Sequence, residues 1–264
     1  MAKVLVSEQE GHVLTLRLNR PEKKNALSDE LAWGVVEAVE AAARDDSVWV
    51  IGITGTDDAF CAGLDLSGGD DYSPLTEQDN QLDDVGWVGR FALVLREVCD
   101  KPIVAGVNGV AVGAGLSLAM AADMRIVARS ARLIAGYTRI GGSPDGGLSW
   151  TLSQAIGYEQ AMRFMLENRT VLGEEAVALG MAGEVVDDDR LGSRLQEYCQ
   201  QIASWSPLTL RLTKRTIGRA AGLADLESHL RYELANIRRA FSSQDAQEAR
   251  KAFFEKRAPV FQGR

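Results

Sequence analysis

Asp145 is the carboxylate that this chain surrounds most distinctively. It stands in Ile140-Gly141-Gly142-Ser143-Pro144-Asp145-Gly146-Gly147. A glycine-rich turn of this kind can present one carboxylate to a cleft, although Ser-Pro-Asp-Gly also suits a helix cap. Two further glycine turns follow strand-like runs: Ala59-Phe60-Cys61-Ala62-Gly63-Leu64-Asp65-Leu66 after VWVIGITG, and Asn108-Gly109-Val110-Ala111-Val112-Gly113-Ala114-Gly115 after PIVAGV. Main-chain amides at such strand-to-helix junctions, at the positive end of a helix, stabilise an anion without any charged side chain. Taken singly, each turn merely lets a helix pack closely on a strand. The second turn lacks the third glycine of a dinucleotide loop, Leu118 standing there, and no Lys-Ser or Lys-Thr follows to make a phosphate loop. The two histidines, His12 and His229, have no evident nucleophile partner, so neither Ser-His-Asp nor Cys-His chemistry is expected.

The elements that must position these turns alternate along the chain. Residues 3–7 and 12–18 read as strands around a turn at Glu10-Gly11, and Ser28 opens an amphipathic helix reaching about Arg44. VWVIGITG is a buried strand, residues 67–84 a polar loop or partly ordered insertion, and residues near 85–99 a helix. PIVAGV, the helix from Ala114 and MRIVA repeat the pattern, which implies α/β layering. Beyond Tyr158 the segments 158–167, 173–180, 189–204, 206–220 and 224–254 read as helices, with one short strand at GEVV. The junction Trp205-Ser206-Pro207 divides residues 1–204, a core, from residues 205–264, a helical region, with Ser206 as cap and Pro207 at the first helical position.

Residues 102–122 carry no charge, and their length alone would suit a membrane span of roughly 20 residues. Pro102, the Asn108-Gly109 break and the small residues after it instead read as a buried strand, a glycine turn and a buried helix. A composition 46% hydrophobic and 25% charged is that of a globular chain. The net charge of −8 and pI near 5.0 argue against nucleic acid or an anionic membrane as partner. Three scattered cysteines, no metal-ligand spacing and no apolar signal core in MAKVLVSEQE point to the cytoplasm.

Taken together and in order, these motifs resemble the enoyl-CoA hydratase/isomerase (crotonase) superfamily. The resemblance runs through NRPEKKNALS, AFCAGLDL, KPIVAGVNGVAVGAGLSLAMAADMRI, RTVLGEEAVALGMAGEVV and the ending FFEKRAPVFQG, nearly the whole chain. It implies the crotonase (ClpP-like) fold, a spiral of ββα units with a C-terminal helical oligomerisation region at 205–264 that builds a homotrimer or a hexamer (dimer of trimers). The substrate it implies is an acyl-CoA thioester, with coenzyme A entering as part of that substrate and no permanently bound cofactor.

The resemblance also implies residue roles. The oxyanion-hole amides fall on Leu64 and Ala114. Donors arranged for the developing charge on a thioester oxygen are each worth roughly 2.7–4 kcal/mol. The two glutamates of the family's hydratases fall on Ser117 and Tyr137, so two-glutamate hydration is not expected here. Several branches place their working aspartate at the position of Asp145: enoyl-CoA and dienoyl-CoA isomerases, the epoxyphenylacetyl-CoA isomerase and 4-chlorobenzoyl-CoA dehalogenase. In the dehalogenase a histidine and a tryptophan assist that aspartate, and the matching positions here are Arg90 and Tyr137. Lys24, beside Lys23, falls near the CoA phosphates, Ala62 near the adenine, Asp65 in the same turn, and Lys256 with Arg257 toward a neighbouring subunit's CoA. Ser117 and Tyr137 are expected to face the acyl group, and the 67–84 loop to wall its pocket. Double-bond isomerisation therefore ranks first. Dehalogenase-like or other hydrolase or lyase chemistry follows, then hydration, then non-catalytic CoA binding.

Overall fold

The computed structural model describes residues 3–67, 72–83, 85–140, 142–220, 239 and 242–263. Its strands are β1 (Leu5–Glu10), β2 (Val13–Leu18), β3 (Val50–Gly55), β4 (Ala59–Cys61), β5 (Ile103–Val107), β6 (Val110–Val112), β7 (Met124–Ala128), β8 (Arg132–Ile134), β9 (Thr170–Leu172) and β10 (Glu184–Val186). Its helices are α1 (Asp29–Arg44), α2 (Glu77–Gln81), α3 (Gly86–Leu93), α4 (Ala114–Ala121), α5 (Leu148–Ile156), α6 (Tyr158–Glu167), α7 (Gly173–Leu179), α8 (Leu191–Ala203), α9 (Pro207–Ala220) and α10 (Gln244–Glu255). The helix expected over 224–254 lies largely outside the described residues, and α10 falls on its last part.

The strands form two sheets. The larger runs β1-β2-β3-β5-β7-β10, with β1 and β2 antiparallel and every later pair parallel. Parallel strands buried on both faces read as continuous apolar runs, and all six residues of β3 and all five of β5 are buried accordingly. α8 lies over them, with Leu195 and Cys199 against the bare backbone of Gly52 and Gly106. The smaller sheet runs β4-β6-β8-β9. Its strands are three residues each, too short to show a period, and the sequence reading places none there.

Residues 102–122 resolve into β5, β6 and α4, and all eight residues of α4 are buried in protein. Among the described residues no helix is long and apolar enough to cross a membrane. Ser28 caps α1 by accepting from the Leu31 amide at 3.3 Å, as the sequence predicts. Ser206 starts α9 with Pro207 in its first turn: its carbonyl accepts from Leu210 at 3.0 Å and its hydroxyl from Thr209 at 3.5 Å. That hydroxyl donates to Asp245 of α10, whose carboxylate also accepts the amides of Gln262 and Gly263. The helical end of the chain is thereby tied to itself. Cys61, Cys99 and Cys199 are buried free thiols.

Candidate active site

The turn after β4 is held by main-chain bonds on both sides of Leu64. Ala62 N–H donates to Lys24 O at 3.0 Å, Leu27 N–H to Gly63 O at 2.7 Å, and Asp65 N–H to Leu27 O at 3.0 Å. The Leu64 amide between them has no acceptor among the described residues, while its side chain is half exposed. Asp65 is drawn in by Arg20, whose guanidinium donates to its carboxylate at 2.8 Å; the two side chains are only 7% and 16% exposed. Hydrogen bonds from Ser67 and from Arg20 hold the Asp65 carboxyl well below the usual carboxylate range.

The second turn meets the first at their glycines. Gly63 has φ +94°, and a Cβ there would stand 2.7 Å from the Val112 carbonyl and 3.9 Å from the Ala114 nitrogen. Only glycine allows that backbone angle and that approach. Ala114 is the first residue of α4, and its amide also has no acceptor among the described residues. The unpaired amides of Leu64 and Ala114 thus belong to two abutting turns, the second at the positive end of a buried helix.

Asp145 joins this arrangement through hydroxyls. The Tyr137 hydroxyl donates to Asp145 Oδ1 at 2.8 Å, and Ser117 Oγ lies 3.0 Å from Tyr137 Oη. Ser117 is fully buried and Tyr137 is 7% exposed, whereas Asp145 is exposed. Burial, reinforced by the neighbouring Asp145 charge, pushes the Tyr137 phenol above its ordinary value, so it remains a proton donor. Gly146 (φ +58°) makes the close fit: a Cβ there would stand 2.8 Å from both Ser117 Cβ and Val88 Cγ1 of α3. Gly147 occupies the cap position of α5, and Asp145 contributes to that helix start only its carbonyl, which accepts from Leu148 at 3.0 Å. Its carboxylate is turned to Tyr137, so the helix-cap reading of that side chain does not hold.

The structure brings five expected residues together here: Leu64, Ala114, Ser117, Tyr137 and Asp145. Ser117 meets Tyr137 and main chain and has no exposed surface with which to face an acyl group. Lys24 and Ala62 are neighbours through their own main-chain bond. The Lys24 ammonium is paired with both carboxylate oxygens of Asp58 at 2.7 and 2.6 Å, on the surface. Lys23 donates to Ser67 Oγ. The Asp65 carboxylate, expected toward the CoA, is occupied by Arg20 and Ser67. Lys256 follows α10 as an exposed residue with φ +54°, and Arg257 beside it is paired with Glu248 and Glu255. Arg90 pairs with Asp83 at 3.0 Å and lies over the Trp33 ring. His12 stacks on Trp49 and donates to the Ser47 carbonyl.

Two residues that position the first turn went unread in the sequence. Arg20 clamps Asp65, and Asn25, fully buried with φ +55°, donates to the Thr56 and Ala59 carbonyls and accepts from Arg20 N–H and Thr56 Oγ1. The available signal was their place in NRPEKKNALS, an arginine and an asparagine flanking the lysines.

The enoyl-CoA hydratase/isomerase family model matches residues 8–264, and the chain belongs to that family, whose members are acyl-CoA enzymes. It is 35% identical over 268 residues to the 1,2-epoxyphenylacetyl-CoA isomerase of Escherichia coli K12, covering 100% of both chains. It is 32% identical over 267 residues to the 2,3-dehydroadipyl-CoA hydratase of the same organism, again covering 100% of both. The crystal structure of an enoyl-CoA hydratase from Bacillus anthracis superposes with a TM-score of 0.88 at 28% identity, over 99% of this chain and 100% of that one. The crotonase fold expected from the sequence is thereby shown.

Proposed function

We propose that this enzyme shifts the carbon–carbon double bond of an enoyl-CoA thioester, with Asp145 as the single acid/base and the amides of Leu64 and Ala114 as the oxyanion hole. The carrying observation is the Tyr137–Asp145 hydrogen bond beside α4. One oriented carboxylate is linked through Tyr137 and Ser117 to α4, whose first residue carries one of the two unpaired amides, and the positions of the hydratases' two glutamates hold hydroxyls bonded to each other.

For a 3-enoyl thioester, Asp145 takes a proton from the carbon next to the carbonyl, and the C–H electron pair becomes a dienolate whose charge rests on the thioester oxygen. The two amides stabilise that oxygen. Asp145 then returns the proton two carbons further on, leaving the conjugated isomer. One carboxylate suffices, because the same group is base and then acid. The full-length similarity to an isomerase supports the reading, and makes an aromatic epoxide thioester a substrate to include in the test.

Dehalogenase-like hydrolysis ranks lower for a chemical reason. It needs a base at position 90, and a guanidinium that stays protonated and is engaged by Asp83 and Trp33 cannot act as one. For the CoA part of the substrate, Lys24 would exchange its surface pairing with Asp58 for a phosphate. A homotrimer or hexamer assembled through residues 205–264 is part of the same proposal, supported by the exposed Trp205, Ile217 and Val260. A monomer by sedimentation would contradict it.

The deciding experiment is turnover of a panel of 3-enoyl-, 2-enoyl-, dienoyl-, 1,2-epoxyphenylacetyl- and 4-halobenzoyl-CoA by the wild type and Asp145→Asn. Isomerisation of the 3-enoyl compounds, lost in the variant with binding retained, is expected. Water addition to the 2-enoyl compounds as the main reaction would overturn the proposal.

A further inference from the structure

One buried hydroxyl of the site has no part in the proton shift as described. Ser117, the fourth residue of α4, lies between the oxyanion turn and the aspartate. Its amide donates to Gly113 O at 2.9 Å, and its Oγ is 3.2 Å from that same oxygen, 3.1 Å from the Asp145 carbonyl oxygen and 3.0 Å from Tyr137 Oη. The Gly113 carbonyl and the Ala114 N–H belong to one peptide group. A peptide whose oxygen accepts a hydrogen bond donates more strongly through its nitrogen, and linked hydrogen bonds reinforce one another by roughly 10–30% each.

Proton counting gives this geometry a direction. Ser117 and Tyr137 carry one hydroxyl proton each, and they face more acceptors than they can serve: Asp145 Oδ1, two main-chain carbonyls and each other. While Asp145 is ionised, its carboxylate is the strongest acceptor and holds the Tyr137 proton, and the Ser117 proton goes to Tyr137 Oη. Once Asp145 has taken the substrate proton, that demand falls. Tyr137 then turns its proton to Ser117 Oγ, and the Ser117 proton turns onto Gly113 O, at the stage when the thioester oxygen is an anion.

We propose that Ser117 is a positioning residue that couples the charge on Asp145 to the donor strength of the Ala114 amide. The inference rests on the acid/base role proposed for Asp145. The bonds broken and made are the substrate C–H and the Asp145 O–H, with the C–H electron pair passing to the dienolate. Both hydroxyl protons rotate and stay on their own oxygens.

The test is 3-enoyl-CoA turnover by Ser117→Ala, Tyr137→Phe and the double variant, together with the absorption spectrum of bound cinnamoyl-CoA. That spectrum moves to the red as donors polarise the thioester carbonyl, and needs no turnover. Ser117→Ala should lower kcat about tenfold with KM within about twofold, the scale of one hydrogen bond. In the Asp145→Asn background, where the neutral amide stands for the protonated aspartate, Ser117→Ala should also shrink the red shift, and in turnover the Ser117→Ala/Tyr137→Phe double variant should lose clearly less than the product of the two single losses. Ser117→Cys, somewhat larger and with a weaker donor, should fall between wild type and Ser117→Ala, and replaces the latter if that variant does not fold. Multiplicative losses, or equal cinnamoyl-CoA spectra for Asp145→Asn with and without Ser117→Ala, would overturn the coupling. Asp145→Asn separates the two claims: normal turnover there rejects the base, while the spectral comparison still decides Ser117.

Discussion

Two parts of the candidate site are built in opposite ways. The turns that carry Leu64 and Ala114 work through main chain. Their side chains, an exposed leucine and a buried alanine, supply no charge, and the geometry is held by flanking backbone bonds, the Arg20–Asp65 pair and the bare Cα of Gly63. The turn that carries Asp145 works through side chains. An exposed carboxylate is oriented by one phenol, which is itself backed by one serine. A backbone device keeps its function through any substitution that preserves the turn, so it marks the family. A side-chain device changes its chemistry with each replacement, so it decides the reaction. This division matches relatives of similar identity that carry both isomerase and hydratase names.

The contrast can be attacked most strongly at Asp145. Asp145→Asn keeps the hydrogen bond to Tyr137 but removes the proposed base, and kcat should fall roughly 10⁴-fold with little change in KM, the upper end for acid–base catalysis. Ala114→Pro is the matching strike on the backbone device. Proline is accepted at the first position of a helix, so α4 should form, yet the donor is gone, and kcat should fall about 10²–10³-fold while Ala114→Ser stays near wild type. Equal rates for the proline and serine variants, both folded, would reject the amide.

Asp65→Asn tests the clamp rather than the chemistry, and chemical denaturation at neutral pH should show a loss of roughly 3 kcal/mol from a broken, largely buried pair. Because Ser67 and Arg20 hold the Asp65 carboxyl below the usual range, this stability is present above the ordinary carboxylate pKa of about 3.9 and is lost as pH falls through the lower folded value. The gap between wild type and variant should therefore begin to narrow below about pH 4 and close only as pH falls through the lower folded value, and a constant gap would show that the ion pair is not its source. A smaller effect than these is expected from Tyr137→Phe. It leaves Asp145 in place but unoriented, and kcat should drop about 30-fold, the scale of a hydrogen bond to a charged group.

The turns themselves were legible in the sequence, and their interlock was not. Strand, glycine turn and helix follow from the run PIVAGVNGVAVGAGLSLAMAA, and Ser28 and Ser206 announce their helices through capping chemistry that is local. The four-stranded sheet escaped reading because Ala59–Cys61, Val110–Val112, Arg132–Ile134 and Thr170–Leu172 are three-residue strands whose order comes from pairing across long separations. Arg20 is 45 residues from Asp65, and nothing in the local spacing of either announces the pair. Asp65 therefore reads as a ligand group from its motif, yet in the fold it is a clamp.

By itself the sequence determined the family, the α/β layering and the two amide-bearing turns, because glycine placement, apolar runs and helix caps are local properties that survive without neighbours. The tertiary structure decided what surrounds the one carboxylate. Ser117, Tyr137 and Asp145 are separated by 20 and 8 residues along the chain, and they become a hydrogen-bonded set only when α4 is buried and Gly146 lets the Asp145 turn close against it. A hydroxyl's acceptor is set by which groups packing brings within about 3 Å, and no spacing in the chain encodes that.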